Sequence, residues 1–491
     1  MKNRHHSFAS AIAAVLLALG AAGFGASASA APVLQAKQTE SSTVRKAHEE
    51  IIKAYGVYED QALQDYVSEV GQRVAKQSDM PDAEFKFVVL DEESINAFTT
   101  GCCYIYVHRG LLTHLNSEAE LASVLGHEIG HVTAKHPQKR QTRGVLASIG
   151  AMAAAIATGS GAVADLANLG ANAWLQGYGR ENELEADRLG LKSATKAGYR
   201  PEAMGEVFDM FRRGERFELD RARAEGREPR IYHGLFSSHP SPDARAVQAA
   251  KGAAKITQDP PGGWVDNRDV YLQKIDGLVY GSSRAQGIVR ENRFYHADMG
   301  ITMAFPRGWT VENQRERLLA YTPSKDTIMQ ITVAAVPPTQ SPREFLLSQL
   351  KGATVTGGEQ LTSNGMDGYA VLTTSGSPLD NGAGPVRWMV LYRGKSAYLF
   401  AGASRSSIGS RPEADGLFQS VAGTLRGLKP SEFPLAEPYR LRIRKAADGT
   451  RLEDYAANVP VEKYQTEELQ LINGLYPDRK LRTGELFKTV E

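Results

Sequence analysis

The chain has 491 residues, with 57 Lys and Arg, 56 Asp and Glu, and a formal net charge of +1 at pH 7. Charged residues make up 23% of it, which is typical of a globular protein, and no basic excess indicates nucleic acid as a partner. Only 2 cysteines occur, which excludes a disulfide framework, and the length predicts two or three domains.

The amino terminus has the three parts of a secretory signal peptide. Lys2 and Arg4 precede an apolar run from about residue 12 to residue 24, and a stretch of small residues ends at Ala30. We expect cleavage after Ala30 and a mature protein in the periplasm of a bacterium with an outer membrane. Because no cysteine follows Ala30 directly, we expect no lipoprotein anchor.

A buried helix is predicted downstream of Ser117. Ser117 followed by Glu120 resembles a capping box, which opens a helix, and Pro137 closes the run. Between them, apolar residues recur at helical spacing and form one face, namely Leu121, Val124, Leu125, Ile129 and Val132.

The most informative motif, an H-E-x-x-H sequence, lies inside this predicted helix. His127 and His131 are four residues apart, so both imidazoles can reach one metal ion. Glu128 is next to the first histidine and can reach a water molecule on that metal. Two neutral imidazoles and a neighbouring carboxylate are what zinc-assisted hydrolysis of an amide requires. The alternative is a chance match in a helix that binds no metal.

The segment 144–164 carries no charge and is long enough to span a bilayer. Most of its residues are Ala, Gly and Ser, however, and its larger side chains lie three or four residues apart, on one face. We expect an amphipathic helix near the candidate zinc site. A peripheral membrane contact and a true membrane span are the alternatives.

The acidic segment 180–187, which is also predicted to be helical, contains the candidates for a third metal ligand. Glu183 and Asp187 are four residues apart and share a face, whereas Glu185 lies roughly 200° round the helix from Glu183. Glu183 is therefore chosen as the ligand. Asp187 is expected to accept the free N–H of a zinc histidine. The alternative is a solvated acidic helix face.

Together, His127, Glu128 and His131 followed by Glu183 and Asp187 resemble the HtpX/BepA family of zinc metallopeptidases, which includes the CAAX prenyl protease. Further matching segments are 96–98, 104–107, 109–112, 198–201 and 238–240, the last with Arg245. The resemblance covers roughly residues 45–250.

The resemblance implies one Zn²⁺ per chain, held by His127, His131 and Glu183, with Glu128 as the general base that activates water. It also draws attention to His239 as a catalytic candidate. His239 could stabilise the oxyanion or fill the open zinc position when no substrate is bound. A structural role in a loop is the alternative.

The segment 104–107 is expected to form an edge strand beside the zinc helix, where an extended substrate backbone could pair with it. Cleavage would then depend on local unfolding of the substrate. Members of the family usually carry a glycine pair before this strand, whereas this chain has Cys102 and Cys103. The two thiols could form a vicinal disulfide, bind metal or remain unpaired.

We predict an α+β protein with a mainly helical, gluzincin-like zincin domain that contains a small β-sheet. An α/β domain follows, in which Phe305, Pro306, Gly308 and Trp309 resemble PsbP-like domains, and then a small LysM-like module. The expected boundaries are 1–30 for the signal peptide, 31–258 for the peptidase domain, 259–292 for a linker, 293–430 for the α/β domain and 438–491 for the module.

The expected function is hydrolysis of unfolded or misassembled envelope proteins as part of periplasmic quality control. Resemblance of the last module to LysM implies a contact with peptidoglycan. The alternative is an envelope chaperone for outer-membrane assembly in which proteolysis is secondary. Glu128 favours hydrolysis, because a site that only binds has no need of a base.

Overall fold

The computed structural model describes residues 42–139, 178–229, 242–314, 317–350, 353–375, 383–405, 412–461 and 463–491, and these form one compact unit of mixed helices and sheets. The predicted signal peptide, the segment 144–164 and His239 lie outside the described residues. Within the described ranges, no helix is both long enough and apolar enough to cross a membrane.

The amino-terminal half is mainly helical. Its helices are α1 (Ser42–Tyr55), α2 (Gln61–Ala75), α3 (Arg109–His114), α4 (Glu118–Thr133), α5 (His136–Lys139), α6 (Arg180–Lys196), α7 (Ala203–Glu225) and α8 (Pro242–Ala253). Helix α4 lies centrally, in contact with α2, α6 and α7, and nearly all of its side chains are buried.

Helix α4 begins where the sequence predicts. The Ser117 hydroxyl accepts a hydrogen bond from the Glu120 amide at 3.1 Å, which satisfies one of the unpaired amides of the first turn. The Glu120 carboxylate accepts from the Asn116 amide at 2.6 Å, one residue earlier than in a regular capping box. The helix ends at Thr133, and the short α5 that follows contains Pro137.

A three-stranded sheet packs against this helical layer. It contains β1 (Lys86–Leu90), β2 (Ala97–Gly101) and β3 (Tyr104–His108) in the order β1-β3-β2. β3 pairs parallel to β1 and antiparallel to β2, so the prediction that segment 104–107 forms an edge strand is wrong. All five β3 side chains are buried, as is typical of a central strand. In the part of the chain that the structure describes, β2 is an edge strand of this sheet and lies beside α4.

Residues 259–292, predicted as a linker, include packed elements. They contain α9 (Arg268–Lys274) and β4 (Val279–Tyr280). Tyr271 and Leu272 of α9 have no exposed surface, and they belong to the same hydrophobic cluster as the helices of the first half.

The part predicted as an α/β domain combines antiparallel sheets with two helices. Its elements are β5 (Ile288–Arg290), β6 (Arg293–His296), β7 (Ile301–Ala304), β8 (Thr310–Gln314), β9 (Arg317–Tyr321), β10 (Thr327–Ala335), α10 (Pro342–Gln349), β11 (Val355–Ser363), β12 (Met366–Ser375), β13 (Ala383–Arg393), β14 (Ser396–Ser404), α11 (Pro412–Thr424) and β15 (Arg426–Gly427). One sheet has the order β11-β12-β13-β14-β10-β9-β8 and the other β15-β7-β6-β5. Phe418 of α11 and Phe400 of β14 anchor a hydrophobic core of this part alone.

The carboxyl-terminal residues return to the first half. They form β16 (Tyr439–Lys445), a 3₁₀ helix (Leu452–Asn458), α12 (Gln465–Ile472) and β17 (Leu486–Val490), and the sheet order is β17-β16-β4. The buried Lys488 ammonium donates to the carbonyl oxygens of Thr113 at 2.8 Å and Leu115 at 2.7 Å, at the end of α3. This segment therefore shares a core with the helical half, and its likeness to LysM modules stays a prediction.

Backbone contact between α4 and α6 brings the two halves of the predicted metal site together. A β-carbon built on Gly190 of α6 would lie 2.7 Å from the backbone of Gly126, and one built on Gly130 would lie 2.6 Å from the Ala186 carbonyl oxygen. Real β-carbons do not approach backbone atoms this closely. Only glycine therefore permits the observed helix separation.

We expect Gly190→Ala to destabilise the protein by about 1–3 kcal/mol, the usual cost of overpacking, although alanine favours helix. The matched control is Gly205→Ala in α7, where the added β-carbon would meet no atom within 4 Å, and this change should be neutral or stabilising. Urea unfolding of both variants, followed by circular dichroism, measures the difference. Equal stability of the two variants would show that the contact between α4 and α6 does not require glycine at position 190.

Candidate metal centre

Three buried side chains converge between α4 and α6. One ligand atom of each of His127, His131 and Glu183 can be chosen so that all three lie within 4.8 Å of one another. The two Nε2 atoms are 3.0 Å apart, and they lie 3.5 and 3.4 Å from the Glu183 oxygens. The helical spacing places the histidines on one face, and the close contact between the helices brings the glutamate to them.

The donor set fits a single zinc ion. Two imidazole nitrogens and one carboxylate oxygen are the ligands of a catalytic zinc site, which leaves a fourth position for water. The buried charge also fits. Glu128, Glu183 and Asp187 are carboxylates with 3% exposure or less, and Arg245 is the buried cation among them. One divalent cation together with Arg245 balances these three negative charges.

The Asp187 carboxylate lies behind His127, where we expected it. Its Oδ1 is 2.8 Å from His127 Nδ1, which directs Nε2 of the same ring towards the other ligands. Burial opposes ionisation of Asp187, but hydrogen bonds from Arg245 and His127 outweigh it and lower the pKa of Asp187 to about 2. Asp187 is therefore a permanent anion at neutral pH.

Arg245 of α8 joins two of these carboxylates. Its guanidinium donates to both Asp187 oxygens at 2.7 Å, and its Nη1 lies 2.8 Å from Glu183 Oε2. Burial disfavours its charge, yet Asp187, Glu183 and Glu128 together raise the pKa of Arg245. In the sequence, Arg245 stands out only as part of a matching segment, with no role indicated. Arg245 lies on a third helix, and its distance along the sequence from the H-E-x-x-H motif follows no helical period that would predict a contact.

His136, which the motif does not include, lies on the other side of His131. The two Nδ1 atoms are 2.9 Å apart, and His136 Nε2 lies 3.1 Å from Glu185 Oε2. His136 has no exposed surface. Tyr178 stacks on the His131 ring with the ring centroids 4.0 Å apart. Glu185 is not part of the ligand cluster, in keeping with its expected direction.

Glu128 is fully buried on α4, beside His127, and its negative charge contributes to raising the pKa of Arg245.

Cys102 and Cys103 form a disulfide in the turn between β2 and β3. Of the three states expected for this pair, a vicinal disulfide, metal binding and free thiols, the structure contains the disulfide.

Comparison with known proteins agrees with this geometry. A sequence profile described as Peptidase family M48 matches residues 61–253. The chain is 28% identical over 237 residues to the beta-barrel assembly-enhancing protease of Escherichia coli K12, a match that covers 46% of each protein. It is 30% identical over 154 residues to the mitochondrial metalloendopeptidase OMA1 of Arabidopsis thaliana, covering 31% of each. The chain spans about half the length of the first of these relatives.

Among solved structures, the cyanobacterial PsbP of Synechocystis sp. PCC 6803 resembles this chain at 14% sequence identity and a TM-score of 0.23. The likeness covers 30% of this chain and 98% of the PsbP protein.

We expect Glu183→Ala to abolish stoichiometric zinc binding, because only two imidazoles remain as ligands. The control is Glu181→Ala, which removes an exposed carboxylate from the first turn of the same helix and should leave zinc content unchanged. Metal analysis after dialysis against a weak chelator measures both variants. A full zinc complement in the Glu183 variant would refute this ligand assignment.

Proposed function

Because residues 61–253 form a metallopeptidase domain of Peptidase family M48, we propose that this chain is a zinc-dependent endopeptidase that hydrolyses unfolded or misassembled proteins of the bacterial envelope. The observation that carries the proposal is the buried cluster of His127, His131 and Glu183 with Glu128 beside it. A site that only stored metal would have no use for a second carboxylate next to a ligand histidine.

His127, His131 and Glu183 would hold the zinc ion, which when bound would supply Lewis-acid chemistry, lowering the pKa of water and polarising a carbonyl. Glu128 accepts the proton of the attacking water and then passes it to the leaving amine. Asp187 holds His127 in the tautomer that offers Nε2, and Arg245 holds Glu183 and Asp187 in place. The buried surroundings exclude bulk water, which strengthens each of these interactions.

We propose that substrates bind as an added strand at β2. Among the described residues, this strand lies at one edge of the three-stranded sheet and against α4, which carries the histidines. Strand addition uses main-chain hydrogen bonds, so recognition depends on an extended, locally unfolded segment more than on its sequence. Misassembled envelope proteins expose such segments.

The periplasmic location is also part of the proposal. It is supported by the signal-peptide pattern of residues 1–30 and by the similarity to a beta-barrel assembly-enhancing protease. That relative's name also favours a second candidate function, assistance to outer-membrane assembly with proteolysis secondary. Peptidoglycan binding by residues 438–491, a PsbP-like α/β domain at 293–430 and a peripheral membrane contact remain predictions from the sequence.

The base assignment is tested by Glu128→Gln in the mature chain. Zinc content and fold should persist, whereas cleavage of casein or of an unfolded envelope protein should fall by about 10²–10⁴-fold or more, because proton transfer is lost. A chelator should abolish wild-type cleavage, and added zinc should restore it. Wild-type turnover in the variant at full zinc occupancy would refute the hydrolytic mechanism. Assembly activity that survives in it would favour the chaperone function.

His239→Ala distinguishes the proposed roles of His239. If this histidine fills the open zinc position at rest, the change should raise basal cleavage, since three ligands remain. If it donates to the oxyanion, activity should fall on the order of 10²-fold. Steady-state cleavage of one unfolded substrate, at confirmed zinc occupancy, separates these outcomes. An unchanged rate would show that His239 is structural.

A further inference from the structure

We propose that His136 and Glu185 are positioning residues that fix the tautomer of the ligand His131. The inference rests on the proposed zinc site and deepens it. Its basis is the buried row formed by His131 Nδ1, His136 Nδ1, His136 Nε2 and Glu185 Oε2, with contacts of 2.9 and 3.1 Å. His131 and His136 have no exposed surface, so water does not compete for these contacts.

The Glu185 carboxylate, at one end of the row, determines the direction of each hydrogen bond. An ionised carboxylate can only accept, so His136 donates from Nε2 to Glu185. A neutral imidazole with a proton on Nε2 accepts at Nδ1, so His131 donates from Nδ1 to His136. This leaves the lone pair of His131 on Nε2, the atom that lies 3.4 Å from Glu183. The opposite tautomer of His136 would turn the Nε2 lone pair towards the Glu185 carboxylate, and its Nδ1–H would oppose the Nδ1–H that His131 carries when its Nε2 lone pair is free.

The two ligand histidines are thus held by different means. His127 has a buried carboxylate, Asp187, whose charge is balanced by Arg245. His131 has a neutral imidazole instead, and the carboxylate that orients it, Glu185, keeps 42% of its side-chain surface exposed. This arrangement orients His131 without adding another negative charge to the buried cluster. Glu185 fixes the tautomer of His136, and His136 in turn fixes the tautomer of His131.

Stacking of Tyr178 on His131 does not select between the two tautomers of His131. The Tyr178 ring stacks on His131 with the planes inclined by 23°, which restrains rotation of the imidazole. A ring stacked on the face of the imidazole forms no hydrogen bond in the plane of its nitrogens, so the stacking does not distinguish the two tautomers. Of these contacts between described residues, it is the hydrogen-bonded row that distinguishes the tautomers of His131.

The test measures the zinc dissociation constant of the full mature chain by competition with a chromophoric chelator. His136→Leu and Glu185→Ala should each weaken binding within the range of about 10–100-fold found for partners of metal ligands. Glu185→Ala should fall at the lower end, because water can replace an exposed carboxylate. The double variant should bind no more weakly than His136→Leu alone, because Glu185 acts only through His136.

A conservative variant separates positioning from packing. In His136→Asn the amide oxygen can take the place of Nδ1 as acceptor, and an amide has no tautomers to select. Zinc affinity should therefore remain near wild type and should no longer respond to Glu185→Ala. Glu181→Ala, at an exposed position of the same helix, is the control and should leave affinity unchanged. Unfolding midpoints of the metal-free chains monitor the fold.

Unchanged affinity in both single variants, or additive losses in the double variant, would overturn the positioning role. If wild type still binds zinc and cleaves substrate, the proposed function survives that result. A wild-type chain that binds no zinc overturns the proposed function and this inference together. If His136→Leu fails to fold, the effect of Glu185→Ala in the wild-type and His136→Asn chains decides the proposal.

Discussion

The candidate site depends on the backbone contact between α4 and α6. The histidines alone would form a two-ligand site on one helix face, and Glu183 reaches them only because Gly126, Gly130 and Gly190 lack a β-carbon at the crossing. Protein interiors are packed densely enough that even one added carbon must displace a neighbour. The spacing of the two helices, and with it the distance between imidazoles and carboxylate, is therefore set by glycine.

The second constraint is the burial of charge. Glu128, Glu183 and Asp187 are all enclosed, and a buried carboxylate is tolerated only when paired. Arg245 reaches two of them from a helix far along the chain, which links the fold of α8 to the geometry of the site. Loss of Arg245 would remove the guanidinium that pairs with Glu183 and Asp187. The first consequence would be unfavourable burial of negative charge, and any loss of activity would follow from that.

The carboxyl-terminal segment is tied to the same helices. Lys488 satisfies two carbonyl oxygens at the end of α3, just before α4 begins, and β17 and α12 belong to the core that includes α2 and α4. Residues 293–430 instead have clusters of their own around Phe400 and Phe418. The described chain thus encloses a separately packed part between two segments that share one core.

The sequence by itself determined the local features. Helix α4, its start at Ser117, the shared face of His127 and His131, and the direction of Glu183 away from Glu185 all follow from spacing along a helix. The sequence also predicted a mixture of helix and strand for residues 293–430, where the structure has antiparallel strands and two helices, because the periods of strands and helices are local. The family resemblance, carried by the same motifs, agreed with the matched profile.

Only the tertiary structure decided which distant groups meet. Arg245 and His136 beside the ligands, the central place of β3, the packed α9 and the shared core of β17 depend on how elements stack, and no local period encodes that. The residue pattern of a strand does not predict which strands lie beside it, because strand pairing depends on the packing of the whole sheet. Burial, which turns these contacts into strong electrostatic constraints, likewise exists only once the chain has closed around them.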